Sequence, residues 1–358
     1  MSKYGSALVF CALLSGMCAV QASARTKGKA VIAVIQAEGS PRQDAFKASY
    51  DFARVEPMSR THLDKLLDLL EQAGRMGADL ACGPEDMQNI GAYGLYLDTR
   101  NPQTGETLFT SLAVPVPGEL TDRLADIARR HGMYIIAPLY ERQGDKVFNT
   151  SVVFGRKGEM IGIHRKTVLP VLETWLVTPG DEYKVFELDF GTIAIATCWE
   201  LVFPEISTIL ALKGADIIFN PTMGRENKPG ESLATGHRYL TRAVDNRVYI
   251  VPVILGSDGN GIIDFNGKVV AEAVGQKNTV ITAEIDFSAK PLSEGRWWPT
   301  INGTADEKAI HYLSRRPETF KLLVNPAPPL LERFRKVQLT TGNRQAQLKA
   351  MKEVDYGP

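Results

Sequence analysis

Apolar residues recur along this chain in two alternating styles, and their order predicts the architecture. The run Val31-Ile32-Ala33-Val34-Ile35 has no polar interruption and reads as a buried strand. Over residues 62–75, by contrast, Leu63, Leu66, Leu67 and Leu70 fall at the spacing of one helix face. A second helix is predicted after Gly118, with Leu120, Leu124, Ile127 and Ala128 on one side and Gly132 at its end. Strands follow over 134–139, 146–154 and 160–166, the last two joined through Gly155-Arg156-Lys157-Gly158. The pair 184–190 and 192–197 leads to a helix over 204–213, a strand over 216–220 and a helix over about 232–246. Strands over 247–255, 261–265 and 268–274 complete the set, and Asn266-Gly267 is a strong hairpin signal between the last two. Strands that alternate with helices, with some pairing directly, predict an α/β protein with a mixed sheet.

Three strands are expected to end on chemistry. The run 192–197 stops at Cys198, and Trp199-Glu200-Leu201-Val202-Phe203-Pro204-Glu205 then turns into a helix pattern, as at a nucleophile elbow. The segment Leu80-Ala81-Cys82-Gly83-Pro84-Glu85 carries a carboxylate past a Gly-Pro corner. Ile161-Gly162-Ile163-His164-Arg165-Lys166 delivers an amine. Singly these residues are commonplace: free cysteines mostly fill cores, and Glu and Lys mostly face water. Together they supply the base, the cation and the nucleophile that acyl transfer through a thioester requires.

Several strings occur in a telling order: Gly83-Pro84-Glu85, Phe148-Asn149-Thr150-Ser151, His164-Arg165-Lys166, Cys198-Trp199-Glu200, Phe203-Pro204-Glu205 and Asn220-Pro221-Thr222. Arg242-Ala243-Val244-Asp245-Asn246-Arg247-Val248-Tyr249 and a hairpin around 261–273 follow. In this arrangement the chain resembles the carbon-nitrogen hydrolase (nitrilase) superfamily over roughly residues 30–287. The resemblance implies a Glu-Lys-Cys triad of Glu85, Lys166 and Cys198, with a second glutamate, Glu173, in the loop Pro170-Val171-Leu172-Glu173-Thr174-Trp175. It also implies an α-β-β-α four-layer sandwich, usually dimerised through its helix layers, so a homodimer or higher homo-oligomer is expected. Gly83 departs from the pattern, since members often carry Phe there, and the smaller residue is expected to open the floor of the site. Amide cleavage then assigns roles: Glu85 as proton carrier, Cys198 as nucleophile, Lys166 with a backbone N–H near Trp199 as oxyanion donors, and Glu173 as a positioning acid. No metal or organic cofactor is required by this scheme.

Composition narrows the partners. Lys plus Arg equals Asp plus Glu at 41 each, so neither nucleic acid nor acidic membranes are indicated. The five His residues are scattered without metal-ligand spacing, and His164 reads as a local structural histidine. At the N-terminus Lys3, the apolar run from Ala7 to Leu14 and Ala22-Ser23-Ala24 make a secretory signal peptide over 1–24. Export to the periplasm or beyond is therefore expected, with no stable membrane span after cleavage. Met17 before Cys18 argues against lipidation. Cleavage would leave Cys82 and Cys198, whose bridging would be an off state because it would consume the nucleophile. The domain expectation is a catalytic unit over 25–287 and an extension over 288–358. That extension carries Arg296-Trp297-Trp298-Pro299 and Pro326-Ala327-Pro328-Pro329 and reads as an arm wrapping a neighbouring subunit. The expected substrate is a small amide cleaved to acid plus ammonia or amine. Nitrile hydrolysis, N-acyl transfer and a non-catalytic binding protein of the same fold are the alternatives.

Overall fold

The computed structural model describes residues 28–39, 51–91, 100–170, 173–224, 228, 230–256, 258–294 and 304–334. The expected signal peptide over 1–24 and the Arg296-Trp297-Trp298-Pro299 string lie outside the described residues.

In chain order, β1 (Lys29–Gln36) leads to α1 (Phe52–Arg75), β2 (Leu80–Cys82), the short α2 (Leu108–Leu112) and α3 (Glu119–His131). β3 (Tyr134–Gln143), β4 (Lys146–Phe154) and β5 (Met160–Arg165) form an antiparallel meander. β6 (Val185–Glu187) and β7 (Thr192–Ile195) precede α4 (Pro204–Leu212), β8 (Ile217–Thr222) and α5 (His237–Asn246). β9 (Tyr249–Ile254), β10 (Asn260–Ile263), β11 (Val269–Ala273) and β12 (Thr279–Asp286) follow. After them come the paired β13 (Leu292–Glu294) and β14 (Thr304–Asp306), then α6 (Glu307–Leu313). Two six-stranded mixed sheets result, ordered β12-β1-β2-β3-β4-β5 and β11-β10-β9-β8-β7-β6.

Side-chain alternation in β1 shows how the layers are glued. Ile32 and Val34 point into the space between the sheets, where they join Leu80, Ile136, Ile193, Ile195, Phe219 and Val251. Ala33 and Ile35 point the other way, into a core shared with Leu66, Leu70, Leu124 and Ile127 of α1 and α3. Across the second sheet, Ala194, Ile218 and Ile250 meet Ile206, Leu210, Tyr239 and Ala243 of α4 and α5. The layering is α-β-β-α, the expected four-layer sandwich. Burying apolar side chains on both faces of both sheets accounts for the near-continuous hydrophobic runs of the central strands.

The local differences from expectation have physical causes. α1 begins ten residues early, at Phe52, because Asp51 accepts from the Arg54 N–H and caps the first turn; Pro57 is accommodated in the second. Strand β12 was not expected: Thr279-Val280-Ile281-Thr282-Ala283-Glu284 is only half apolar, and its pairing with β1 spans most of the chain. α6 packs on its own subunit. Lys308 Nζ donates to the Ala215 carbonyl at 3.2 Å, Arg247 pairs with Glu307 at 2.5 Å, and Tyr312 joins the α4–α5 core. Beyond it, Leu322, Leu323 and Val324 lie exposed. Among the described residues no helix is long and apolar enough to cross a membrane.

Candidate active site

Both sheets point their strand ends at one place. β7 stops at Ile195, and Cys198 opens a 3-10 turn, Cys198–Val202, that leads directly into α4. Cys198 has φ +49°, a left-handed conformation that costs a non-glycine residue roughly 1–3 kcal/mol and persists only where neighbours enforce it. Asn220 on β8 is one enforcer: its Nδ2 donates to the Ala196 carbonyl at 2.6 Å and to the Cys198 carbonyl at 3.4 Å. Pro204 at the first position of α4 suits the sharp exit. The Trp199 ring turns outward against Phe203 and is 42% exposed, so what it offers beside the thiol is its main chain.

Lys166 follows the last residue of β5, and its own N–H donates to the Asn149 carbonyl at 2.8 Å, continuing the ladder with β4. Gly180 holds the same corner from the other side. Its N–H donates to the Lys166 carbonyl, and a Cβ there would stand 2.2 Å from the Arg165 carbonyl oxygen. The Lys166 side chain is 1% exposed, and its Nζ lies 2.9 Å from Glu85 Oε1 and 2.6 Å from Glu173 Oε2. Glu85, three residues past β2, is wholly buried. The Met223 N–H donates to Glu85 Oε2 at 2.8 Å from the end of β8, so the carboxylate joins the two sheets. Gly83 does not open the floor as expected, because Met87 fills the space: a Cβ on Gly83 would come within 2.9 Å of its sulfur.

Two residues that sequence reasoning did not single out complete the cluster. Asn149 Nδ2 bridges Glu85 Oε1 at 2.8 Å and Glu173 Oε1 at 3.0 Å, and the Tyr140 hydroxyl donates to Glu173 Oε1 at 2.9 Å. Tyr140 and Asn149 face each other across the β3–β4 ladder. The available signal was Asn149-Thr150-Ser151, a polar triplet inside an otherwise apolar strand, which appeared only as a matching string.

Burial by itself would strip the proton from Lys166, but Glu85 and Glu173 outweigh it and hold the ammonium above the usual lysine range. Burial pushes the Glu173 carboxyl up, and Glu85 opposes its charge further, more than Lys166 and Asn149 offset. The Cys198 thiol is pushed up to about 12, by burial first and then by Glu85, with Lys166 and the Thr222 hydroxyl pulling the other way. At neutral pH the thiol is therefore protonated and the Lys166 ammonium stays charged. Both cysteines among the described residues are free thiols, and Cys82 is fully buried. His164, wholly buried, is held by Glu200 at 2.8 Å rather than by the cluster. Among the described residues no three His, Cys, Asp or Glu side chains gather as a metal site.

With this geometry in view, the carbon-nitrogen hydrolase family model matches residues 31–289. The chain belongs to the carbon-nitrogen hydrolase family. As a carbon-nitrogen hydrolase it is an amide-acting enzyme, and its relatives carry both amidase and nitrilase activities. It is 29% identical over 266 residues to the omega-amidase NIT2-A of Xenopus laevis, spanning 68% of this chain and 89% of that protein. To the nitrilase of Pyrococcus abyssi it is 33% identical over 231 residues, 61% of this chain and 81% of that one. The fold also matches solved structures. A carbon-nitrogen hydrolase from Helicobacter pylori G27 superposes with TM-score 0.61 at 19% identity, over 83% of this chain and 99% of that one. A cysteine-to-alanine variant of the amidase from Nesterenkonia sp. AN1, in complex with butyramide, gives 0.60 at 17% identity, over 82% and 97%.

A pH profile tests the charge state of the cluster. Because the Glu173 carboxyl is raised, the acid cluster takes up a proton at higher pH than a free glutamate. Activity lost on acidification should therefore begin to fall above the ordinary carboxylate value of 4.5. Because Lys166 is raised, the cation survives into alkali, and kcat/KM should stay flat from neutrality to the limit of folding. An alkaline limb near pH 8 in a profile of kcat/KM would show that the lysine or the thiol titrates far from where the structure puts it.

Proposed function

We propose that this enzyme hydrolyses small carboxamides through a Cys198 thioester. One observation carries the reading: a buried ammonium, Lys166, lies between two carboxylates beside the strained turn that presents Cys198. Glu85 accepts the Cys198 proton as sulfur attacks the carbonyl carbon, so no free thiolate of high energy has to form beforehand. Lys166 and the main-chain N–H at Trp199 stabilise the negative oxygen. The carbon–nitrogen bond then breaks while Glu85 returns the proton to nitrogen, and ammonia leaves. Water attacks the thioester, Glu85 takes its proton, and the carbon–sulfur bond breaks to release the acid and restore the thiol. Glu173, fixed by Tyr140, Asn149 and Lys166, positions the amide nitrogen or the water.

The omega-amidase relative and the butyramide bound to a structural neighbour support short aliphatic amides as the substrate class. Nitrile hydrolysis by the same residues is the second reading, favoured by the similarity to a nitrilase and by Cys198-Trp199-Glu200. We further propose that residues 1–24 are removed on export and that the catalytic unit over 25–287 is followed by an extension that contacts a second copy. Intact mass of the native protein should place its start at or near Arg25. A retained Met1 or Ser2 would overturn the export proposal.

Ammonia release from a panel of amides and nitriles decides the substrate class, and three variants decide the roles. Cys198→Ala should fold normally and keep less than about a hundredth of the wild-type rate. Glu85→Gln should neither turn over nor accumulate an acyl-enzyme, because both halves of the reaction need its proton transfer. Glu173→Gln should leave Cys198 open to a small electrophile while amide turnover falls about 10²-fold, as expected of misplaced substrate. A Glu85→Gln enzyme that acylates normally, beside a Glu173→Gln enzyme with an inert thiol, would reverse the two assignments.

A further inference from the structure

Glu200 lies outside the Glu85–Lys166–Glu173 cluster, yet it is the only carboxylate among the described residues bonded to both chain segments that carry the nucleophile and the lysine. It is wholly buried within the 3-10 turn that Cys198 opens. Its Oε2 accepts from the Thr197 N–H at 2.6 Å and from His164 Nε2 at 2.8 Å. Its Oε1 accepts from the Thr167 N–H and from the Thr167 hydroxyl, both at 2.8 Å. Thr197 immediately precedes Cys198, and Thr167 immediately follows Lys166.

The protons of this network follow from its members. A carboxylate only accepts, so the Thr167 hydroxyl must give its hydrogen to Glu200, and Tyr183, 2.8 Å away, must donate to the Thr167 oxygen. For the same reason His164 donates from Nε2 to Glu200, and its buried Nδ1 has no partner. Burial would raise the Glu200 carboxyl, but His164 and the Thr167 donors more than offset this and keep it below the usual range. Glu200 thus stays an anion whose Oε2 holds the Thr197 N–H and His164 while its Oε1 holds Thr167.

We propose that Glu200 is a positioning residue: it clamps the Cys198 turn to the Lys166 corner and so sets the distance between thiol and ammonium on which thioester formation depends. This rests on the thioester reading above. The clamp explains two features that the reaction residues leave unexplained. The left-handed Cys198 is pinned on both sides, by Asn220 at its carbonyl and by Glu200 at the preceding N–H. His164, on the same strand face as Lys166, is a brace for the clamp and takes no part in proton transfer.

Glu200→Gln is the informative change because it keeps size and shape but cannot keep both grips. One end of the amide is an –NH2 group, and whichever way it faces it meets a backbone N–H, that of Thr197 or that of Thr167. One of the two main-chain bonds, at Thr197 or at Thr167, is lost. Thr167→Val removes a single hydroxyl from a half-buried site and serves as the variant that folds in any case. Steady-state amide hydrolysis, the rate of Cys198 alkylation by iodoacetamide and thermal melting should be measured on wild type, both variants and Glu200→Asp. The expected result is a fall in kcat of about 30-fold or more for Glu200→Gln and about 3-fold for Thr167→Val, with KM within about threefold, and partial recovery of kcat in Glu200→Asp. The melts should show folded proteins at the assay temperature, and Cys198 alkylation should slow in the same order.

If Glu200→Gln is folded and its kcat lies within twofold of wild type, or if kcat across the series follows only the fraction folded, the positioning role is wrong. Should Glu200→Gln fail to fold, Thr167→Val and Glu200→Asp with wild-type kcat and wild-type alkylation overturn it equally. Failure of the thioester reading looks different: Cys198→Ala would retain turnover, whereas the alkylation series still reports the clamp.

Discussion

A lysine ammonium has been taken out of water and placed between two carboxylates, and the site is built around that constraint. Desolvating a charge is costly unless partners surround it, and removing one partner of a buried pair typically costs about 3–5 kcal/mol. Here the partners are fully drawn in: Glu85 and Glu173 touch Nζ, and Asn149, Tyr140 and the Met223 N–H satisfy the remaining carboxylate oxygens. The same charges decide the chemistry. They keep the cation charged, while burial first and Glu85 second keep the Cys198 thiol neutral at rest.

The fold is what makes such a cluster affordable. β2 and β5 belong to one sheet and bring Glu85 and Lys166; β7 and β8 belong to the other and bring Cys198, Asn220 and the Met223 N–H. The aliphatic layer between the sheets fixes their spacing, so polar groups 138 positions apart in sequence meet at hydrogen-bonding distance. Cys198, the proposed nucleophile, is one of five non-glycine residues with positive φ among the described residues, and it is held by bonds from Asn220 and Glu200.

Much of this was legible in the sequence because each proposed triad residue ends a short apolar run, and such runs are strands whatever their neighbours. Glu85, Lys166 and Cys198 each stand one to three residues past the last ladder residue, as strand-end chemistry does. Glu173 carries no local signal and came only from the family resemblance. Tyr140 and Asn149 were not legible, since they act through the β3–β4 register, and register is a property of a pair of strands. β12 escaped for the same reason. Gly83 misled because the volume it gives up is returned by Met87, a neighbour whose side-chain direction no spacing reveals.

Equilibrium unfolding of Lys166→Met against wild type, from pH 5 to pH 9, tests the central constraint most directly. Without the ammonium, the two buried carboxylates face each other, and the folded pair must keep a proton that the unfolded chain has released. A carboxyl whose folded value is raised contributes stability below its unfolded value and loses it as pH rises. The account predicts a loss of about 3–5 kcal/mol at neutral pH that deepens toward pH 9. A loss below about 1 kcal/mol that does not change with pH would contradict it.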